Sequence, residues 1–359
     1  MTKQPLYQKI YQDLKLKIMN QTYQEGDQLP TELELADMYQ VSRITSKRAL
    51  VELENDGFIY RLRGKGSFVS TQEEKPVFLE DKTDVLFMLP FAEDPGFGNY
   101  AQGIMNYLEQ TNYRLHIQPH QSFSLEERQK LLAEYAGLIY YPRGTQESLD
   151  FLYQCYLEKM PVVLLDKTVE NIPFPSVLAD NELGGFLATE HLLGEQCEEV
   201  WFISTEPLAE ISSVRDRYFG YLKALHQQGK EGRHFAKESG ENLPNFFDDI
   251  IKEIGGKKEK IGLVVENDVI AIRLMTALKK LEIQIPEQVA LVGFDNIQAA
   301  SLVDPKLTTL SQDFYQMGKT AAKLLMEHLH QPVSSQRPKV IPVDLIIRGS
   351  SKERDKGVD

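Results

Sequence analysis

The sequence predicts an α/β protein in two parts: an N-terminal winged helix-turn-helix domain and a larger, two-lobed, doubly wound domain. Three observations carry this. Two short helices and a basic hairpin follow one another between residues 29 and 69. From Asp84 onward, short apolar runs alternate with helical stretches. Those runs are too many for one sheet of ordinary size, and two lobes with a cleft between them accommodate them.

The first element is a helix in which Leu6, Ile10, Leu14 and Ile18 recur every four residues, with Tyr7 and Tyr11 beside them. Residues 23–28 make a loop. Thr31 and Glu34 form a capping box that starts a second helix, running to about Tyr39. Gln40 and Val41 turn the chain. Ser42 caps a third helix to about Asn55, which stops at Gly57. Leu35, Met38, Val41, Ala49, Leu50 and Leu53 supply the contacts between the two helices. Then Phe58–Tyr60 and Ser67–Val69 flank Arg61-Leu62-Arg63-Gly64-Lys65-Gly66, a hairpin with a basic, glycine-containing tip.

This spacing suits a helix laid in the DNA major groove. The third helix opens with Ser42, Arg43, Thr45, Lys47 and Arg48. Arginine forks onto guanine O6 and N7, and hydroxyls bond phosphates or base edges. A capped helix pair alone is usually only packing, but the order of parts is specific. It resembles the winged-helix head of the gluconate-repressor (GntR) family. The residues are Pro5-Leu6-Tyr7, Leu29-Pro30-Thr31-Glu32, Val41-Ser42-Arg43, Arg48-Ala49-Leu50 and Gly64-x-Gly66-Ser67-Phe68-Val69. The resemblance implies double-stranded operator DNA as a partner, met by Thr31, Glu32, Ser42, Arg43, Thr45, Lys47, Arg63, Gly64 and Lys65. Two positions depart from the family. Ser46-Lys47 stands where an apolar or β-branched residue and an arginine are common, and Leu33 where some members place a DNA-contacting arginine.

The formal charge of the chain is −13, against a generic nucleic-acid coat. The charge is uneven. Residues 1–70 hold 10 Lys and Arg against 9 Asp and Glu, and the remainder 30 against 44. A locally basic face on a near-neutral head suits salt-sensitive DNA binding, and an acidic second part points away from the duplex. Two cysteines, Cys155 and Cys197, make no disulfide framework and read as buried small hydrophobes. No apolar leader or membrane-length run is present in the sequence, so a cytoplasmic protein without a membrane partner is expected.

Residues 71–83 are polar and read as a linker, which bounds a head of residues 1–70. Apolar runs follow at Val85–Leu89, Leu115–Ile117, Gly137–Tyr141, Val162–Leu165, Val177–Ala179, Val200–Ile203, Gly262–Val265 and Val289–Gly293. Helices are expected at about 98–110, 125–135, 147–160, 181–193, 213–228, 243–254 and 268–281. The alternation implies parallel sheets covered on both faces, with ligands beyond the carboxyl ends of the strands.

Five stretches in order carry a second resemblance. They are Ala179–Gly185 with His191-Leu192-Leu193; Arg217-Tyr218-Phe219-Gly220-Tyr221; Glu266–Ala271; Ile285–Asn296; and Pro305–Leu310 with Asp344–Ser350. Residues 84–350 are similar to the effector domain of the lactose/galactose-repressor (LacI/GalR) family, built like a periplasmic sugar-binding protein, with 351–359 as a tail. Joined to a GntR-type head, the whole resembles arabinose-type transcriptional repressors. The segment between the parts lacks the small-residue hinge helix of lactose-type repressors, so a signal would pass through dimer geometry.

A sugar needs charged planar groups that chelate hydroxyls and an aromatic face for its C–H side. Arg217 opens the 213–228 helix in the family's Arg-x-x-Gly position, near Ser213. Asp295 follows one strand, and Asn267 and Asp268 follow another. Phe97 could stack on a ring, and Arg143 and Glu266 sit at strand ends. Plainer roles compete. Asp268 and Asp180 could be helix caps, Arg217 and Asp295 could pair with each other, and Trp201 suits core or rim. Gly318-Lys319-Thr320 imitates the end of a phosphate loop but has Asp313 where the earlier glycine belongs. His116 and His120 are four apart but flank Pro119 on a strand, which disfavours a metal site. No nucleophile elbow or zinc motif appears, so neither an enzyme nor a cofactor is expected.

The expected molecule is a ligand-responsive repressor, a homodimer on a two-fold operator, released by a small sugar such as a pentose. The alternatives are a binding and dimerisation module without DNA specificity, or a regulator using a non-sugar effector or co-repressor.

Overall fold

The computed structural model describes residues 6–20, 22–55, 58–62, 65–70, 82–89, 99–120, 124–330 and 337–352, without the side chains of Asn55, Leu62, Leu125 and His330. Arg63, Gly64, Phe97 and nearly all of the 71–83 linker lie outside the described residues. Two compact units are distinguished, Met1–Asp81 and Lys82–Asp359.

The first unit contains α1 (Leu6–Met19), α2 (Glu32–Tyr39), α3 (Arg43–Asn55), β1 (Ile59–Leu62) and β2 (Gly66–Val69). The capping box forms as expected: Thr31 Oγ1 accepts from the Glu34 N–H at 3.3 Å, and Glu34 Oε2 accepts from the Thr31 N–H at 2.7 Å. Gln40 turns the chain in the left-handed region at φ 50°. The apolar core joins Ile10, Leu14, Leu29, Leu35, Ala49, Leu50, Leu53, Phe58, Ile59 and Val69. Met38 does not belong to it. It is exposed, because the eight-residue α2 turns only Leu35 and Ala36 fully inward. β1 and β2 pair antiparallel. The 26–29 segment adds main-chain bonds to β2, from Leu29 N–H to Ser67 O and from Val69 N–H to Asp27 O, both 2.9 Å.

The second unit has two six-stranded sheets. The first lobe holds β3 (Asp84–Leu89), β4 (Arg114–Pro119), β5 (Gly137–Tyr140), β6 (Val162–Leu165), β7 (Ser176–Ala179) and β13 (Lys339–Ile341), in the order β13-β7-β6-β5-β3-β4. The second holds β8 (Glu199–Ser204), β9 (Arg233–Ala236), β10 (Ile261–Val265), β11 (Val289–Asp295), β12 (Thr308–Gln312) and β14 (Val343–Ile346), in the order β14-β12-β11-β10-β8-β9. All pairings are parallel except β12 with β14, which is antiparallel and corrects the expectation of wholly parallel sheets. The chain crosses between lobes after β7, after β12 and between β13 and β14.

The expected helices form: α4 (Tyr100–Leu108), α5 (Leu125–Glu134), α6 (Gln146–Leu157), α7 (Asn181–Gly194), α8 (Ser212–Gln227), α9 (Leu243–Gly255) and α10 (Asp268–Lys280). The 17-residue α11 (Phe314–His330) was not expected. It packs on α4 and on the first sheet. Gly318 of the phosphate-loop look-alike serves that packing, since a Cβ there would fall on the Tyr100 carbonyl oxygen. Trp201, Cys155 and Cys197 are buried, the two cysteines as free thiols. No helix among the described residues is long and apolar enough to cross a membrane.

Candidate functional site

In the head, Glu32 joins the two helices. Its carboxylate lies 3.1 Å from Arg43 Nε and 3.7 Å from Arg61 Nη1. Ser46, a departure from the family pattern, is fully buried, and its hydroxyl donates to the Glu32 carbonyl at 2.6 Å. The hydroxyl bond ties α3 to the start of α2. Ser42 Oγ accepts from the Thr45 N–H at 3.3 Å and lies 2.8 Å from Thr45 Oγ1. Thr31, Glu32, Ser42, Arg43 and Thr45 therefore gather where α2 and α3 begin. Lys47 projects outward from α3, and Lys65 is exposed on the wing. Arg48 stacks on Tyr7, its guanidinium 3.9 Å from the ring centre.

In the second unit, the site is built by how α7 meets α8. A Cβ on Gly185 would fall on the Arg217 carbonyl oxygen, and one on Gly220 on the Glu182 carbonyl oxygen. Only glycine admits this approach, so Gly220 gives the Arg-x-x-Gly spacing a packing reason. The approach sets Arg217 beside Asn181, with Arg217 Nε donating to Asn181 Oδ1 at 2.9 Å. Its Nη1 donates to the Glu266 carbonyl, and its guanidinium lies 3.6 Å from the Phe294 ring centre. Nη2 stands 3.8 Å from Asp295 Oδ1, the pairing weighed from sequence.

Asp295 ends β11 with φ at 115°, a conformation few non-glycine residues adopt. Gln312 Nε2 donates to its Oδ1 at 2.6 Å, while Gln312 Oε1 is buried without a partner among the described residues. Burial raises the Asp295 carboxyl to about 7; Arg217 opposes the rise and Asp166 adds to it.

The first lobe supplies residues that the sequence reading missed. Asp166 follows β6, and its Oδ2 accepts from Tyr141 Oη at 2.8 Å. Lys167 Nζ lies 3.5 Å from the same oxygen and 4.2 Å from the Tyr141 ring centre. Buried Tyr100 packs edge-on against Tyr141 and Phe314. Asp166 obeys the same signal as Asp295, an aspartate directly after an apolar strand, and could have been found by it. The lobes meet beside this set. The Thr168 N–H donates to Ser212 Oγ at 3.0 Å, and Arg215 Nη1 lies 3.5 Å from Glu170.

Other expected contacts are placed differently. Asn267, not Asp268, caps α10, its Oδ1 accepting from the Ile270 N–H at 2.9 Å. Asp268 is fully buried and pins the strand ends: Oδ1 accepts from Thr309 Oγ1 at 2.6 Å and Oδ2 from the Ile297 N–H at 3.0 Å. Glu266 is also buried, its oxygens accepting from Thr205 Oγ1 and from the N–H groups of Thr205 and Glu206. Both carboxylates are thus engaged in holding loops. Asp180 is a helix cap, accepting from the Leu183 N–H at 3.1 Å. Ser213 is buried in the first turn of α8, and Arg143 is exposed after β5.

Residues 6–69 match the family model of bacterial regulatory proteins, gntR family, and residues 189–351 match the periplasmic binding protein-like domain. An arabinose metabolism transcriptional repressor of Geobacillus stearothermophilus is 28% identical over 97% of this chain and 98% of its own length. A periplasmic binding protein/LacI transcriptional regulator from Alkaliphilus metalliredigens, complexed with D-xylulofuranose, superposes with a TM-score of 0.61 at 24% identity. It covers 76% of this chain and 100% of that one. A LacI family transcriptional regulator from Enterococcus faecium with bound ribose gives 0.62 at 23% identity, covering 75% and 98%. The chain is a transcription regulator in which a gntR-family winged-helix head is joined to a periplasmic-binding-protein-like effector domain, an architecture that resembles the arabinose-type transcriptional repressors.

Proposed function

We propose that the protein is a repressor that binds a two-fold operator as a homodimer and is released by a small neutral sugar, a pentose first among the candidates. One observation carries the ligand class. The groups meeting between the lobes, Asp166 and Asp295 with Arg217 and Lys167, balance two acids against two bases. A phosphate would meet two carboxyl groups set among the cations. Neutral hydroxyls, which both donate and accept, suit carboxylates, a guanidinium and a side-chain amide with a spare acceptor. Pentose is favoured by the name of the Geobacillus relative and by the ligands of the two solved structures.

Within this reading Arg217, Asp295, Gln312, Asp166 and Lys167 contact the effector. Asn267 caps α10, Ser213 is buried in the first turn of α8, and Glu266 and Asp268 hold the strand ends, so these stand outside the contact set, as does the exposed Arg143. Effector binding must favour one dimer arrangement over another, because equal affinity for both would release no DNA. A thermal-shift screen over pentoses, hexoses, sugar phosphates, nucleobases and amino acids tests the assignment. A ligand at 100 times its Kd adds about 2.7 kcal/mol to the state it binds. The expected result is a rise with one neutral sugar that Arg217→Ala abolishes. A rise with a phosphate or nucleobase overturns the ligand class. Sedimentation giving only monomer at micromolar concentration, with and without operator, overturns the dimer.

A further inference from the structure

The first turn of α3 carries an isoleucine that the fold does not use. Ile44 is 81% exposed, more than any other large apolar side chain among the described residues. A single exposed apolar residue is ordinary on a protein surface. This one stands where a helix-turn-helix protein presents side chains to base edges. Its neighbours are also committed within the head. Ser46 is bonded to the Glu32 carbonyl, Ser42 and Thr45 are bonded to each other, and Arg43 is paired with Glu32. Arg48 lies on Tyr7 and pairs with Glu52. On the outward face of this turn Ile44 and Lys47 are left to project.

We propose that Ile44 reads a thymine in each operator half-site by packing on its C5 methyl group. The proposal rests on the DNA-reading assignment of the head. An aliphatic side chain has no hydrogen-bonding group, so the groove feature it can recognise is the thymine methyl, the apolar element of the major-groove code. Lys47, three residues along the same helix, would supply attraction to the flanking phosphates and hold the side chain in the groove. The division of labour is specific: Lys47 contributes affinity on any sequence, and Ile44 contributes discrimination at one base pair.

The test begins with selection of duplexes from a random pool by the full-length protein. Thymines in the enriched half-site are then replaced singly by uracil, which removes the methyl and leaves the pairing unchanged. Binding is measured by fluorescence anisotropy for the wild type, Ile44→Ala and Lys47→Ala. The expected result is one position per half-site where uracil weakens wild-type binding about fourfold, the effect of one buried methyl. Ile44→Ala should lose that distinction. Lys47→Ala should keep it, while binding more weakly overall and with a shallower salt dependence. A wild type indifferent to every uracil, or a penalty that survives in Ile44→Ala, overturns the proposal. A pool that never enriches overturns the DNA-reading assignment itself, and this inference with it. Ile44 is exposed, so its variant should retain the wild-type circular dichroism spectrum.

Discussion

Arg217 and Asp295 face each other at 3.8 Å in the buried centre of the effector domain, and the carboxyl still titrates near 7. Burial therefore outweighs the guanidinium. Between about pH 4 and 7 the folded chain holds a proton on Asp295 that the unfolded chain, with an ordinary carboxylate at 3.8, has already released. Stability contributed by that proton is lost as pH rises from about 4 through 7, and the loss levels off above. Thermal unfolding between pH 5 and 8 should show the wild type losing more stability than Asp295→Asn. Equal slopes would place the titration elsewhere. A sugar whose hydroxyls donate to the ionised carboxylate should bind more tightly at pH 8 than at pH 5.

Gly185 tests how the site is positioned. A Cβ there would meet the backbone of Arg217, which cannot swing aside as a side chain can. Gly185→Ala should separate α7 from α8 and cost about 1–3 kcal/mol, the usual range for overpacking. It should also draw Arg217 off Asn181 and weaken effector binding more than that loss of stability implies. Urea unfolding paired with ligand titration checks both. Gly194→Ala, on the same helix with open space around its Cα, should be mild.

What the sequence disclosed and what it hid separate by the range of the interactions. The head was legible in detail because its signals are local: the Thr31–Glu34 box, the turn at Gln40 and the cap at Ser42 act over three or four residues. Ser46 was marked as a departure, but its bond to Glu32 joins two helices and had no local sign. In the effector domain, strands with unbroken apolar runs were found. β9 was not, being a short edge strand without a fully buried residue. β12, with the sequence TTLSQ, is rich in polar residues and takes its place only through pairing with β11 and β14. α11 follows the last core strands of the second lobe yet covers the first, a return that periodicity does not announce. Asp166 carried the same mark as Asp295. Asp268, a candidate effector contact with a cap as the competing role, fills neither place in the fold: Asn267 takes the cap, and Asp268, one position on, is buried against Thr309 and Ile297.

The cap on α2 gives a measurable local effect. Thr31→Ala removes the hydroxyl that accepts from the Glu34 N–H, and should lower the stability of the head by about 1 kcal/mol. In the other half of the box the Thr31 N–H, and after it the Thr31 hydroxyl, donate to the Glu34 carboxylate and hold it below its ordinary value. The cap's contribution is therefore present above the ordinary carboxylate range and lost as pH falls below it. Differential scanning calorimetry should show the head transition moving in Thr31→Ala while the effector-domain transition stays. A shift confined to the effector domain would contradict the assignment.

Ser212 separates closure from binding. Its hydroxyl accepts from the Thr168 N–H across the lobes and touches none of the charged groups proposed to hold the effector. Ser212→Ala leaves that N–H unpaired only where the lobes meet, a cost of about 1–2 kcal/mol on the closed state. The open state loses nothing comparable, so closure becomes harder and effector affinity should fall by about tenfold or more. Arg215→Ala removes the partly exposed pair with Glu170 and should cost far less, since such pairs contribute little in water. Isothermal titration with the sugar found in the screen measures both. Unchanged affinity in Ser212→Ala would mean that the lobes do not close on this bond when the ligand enters.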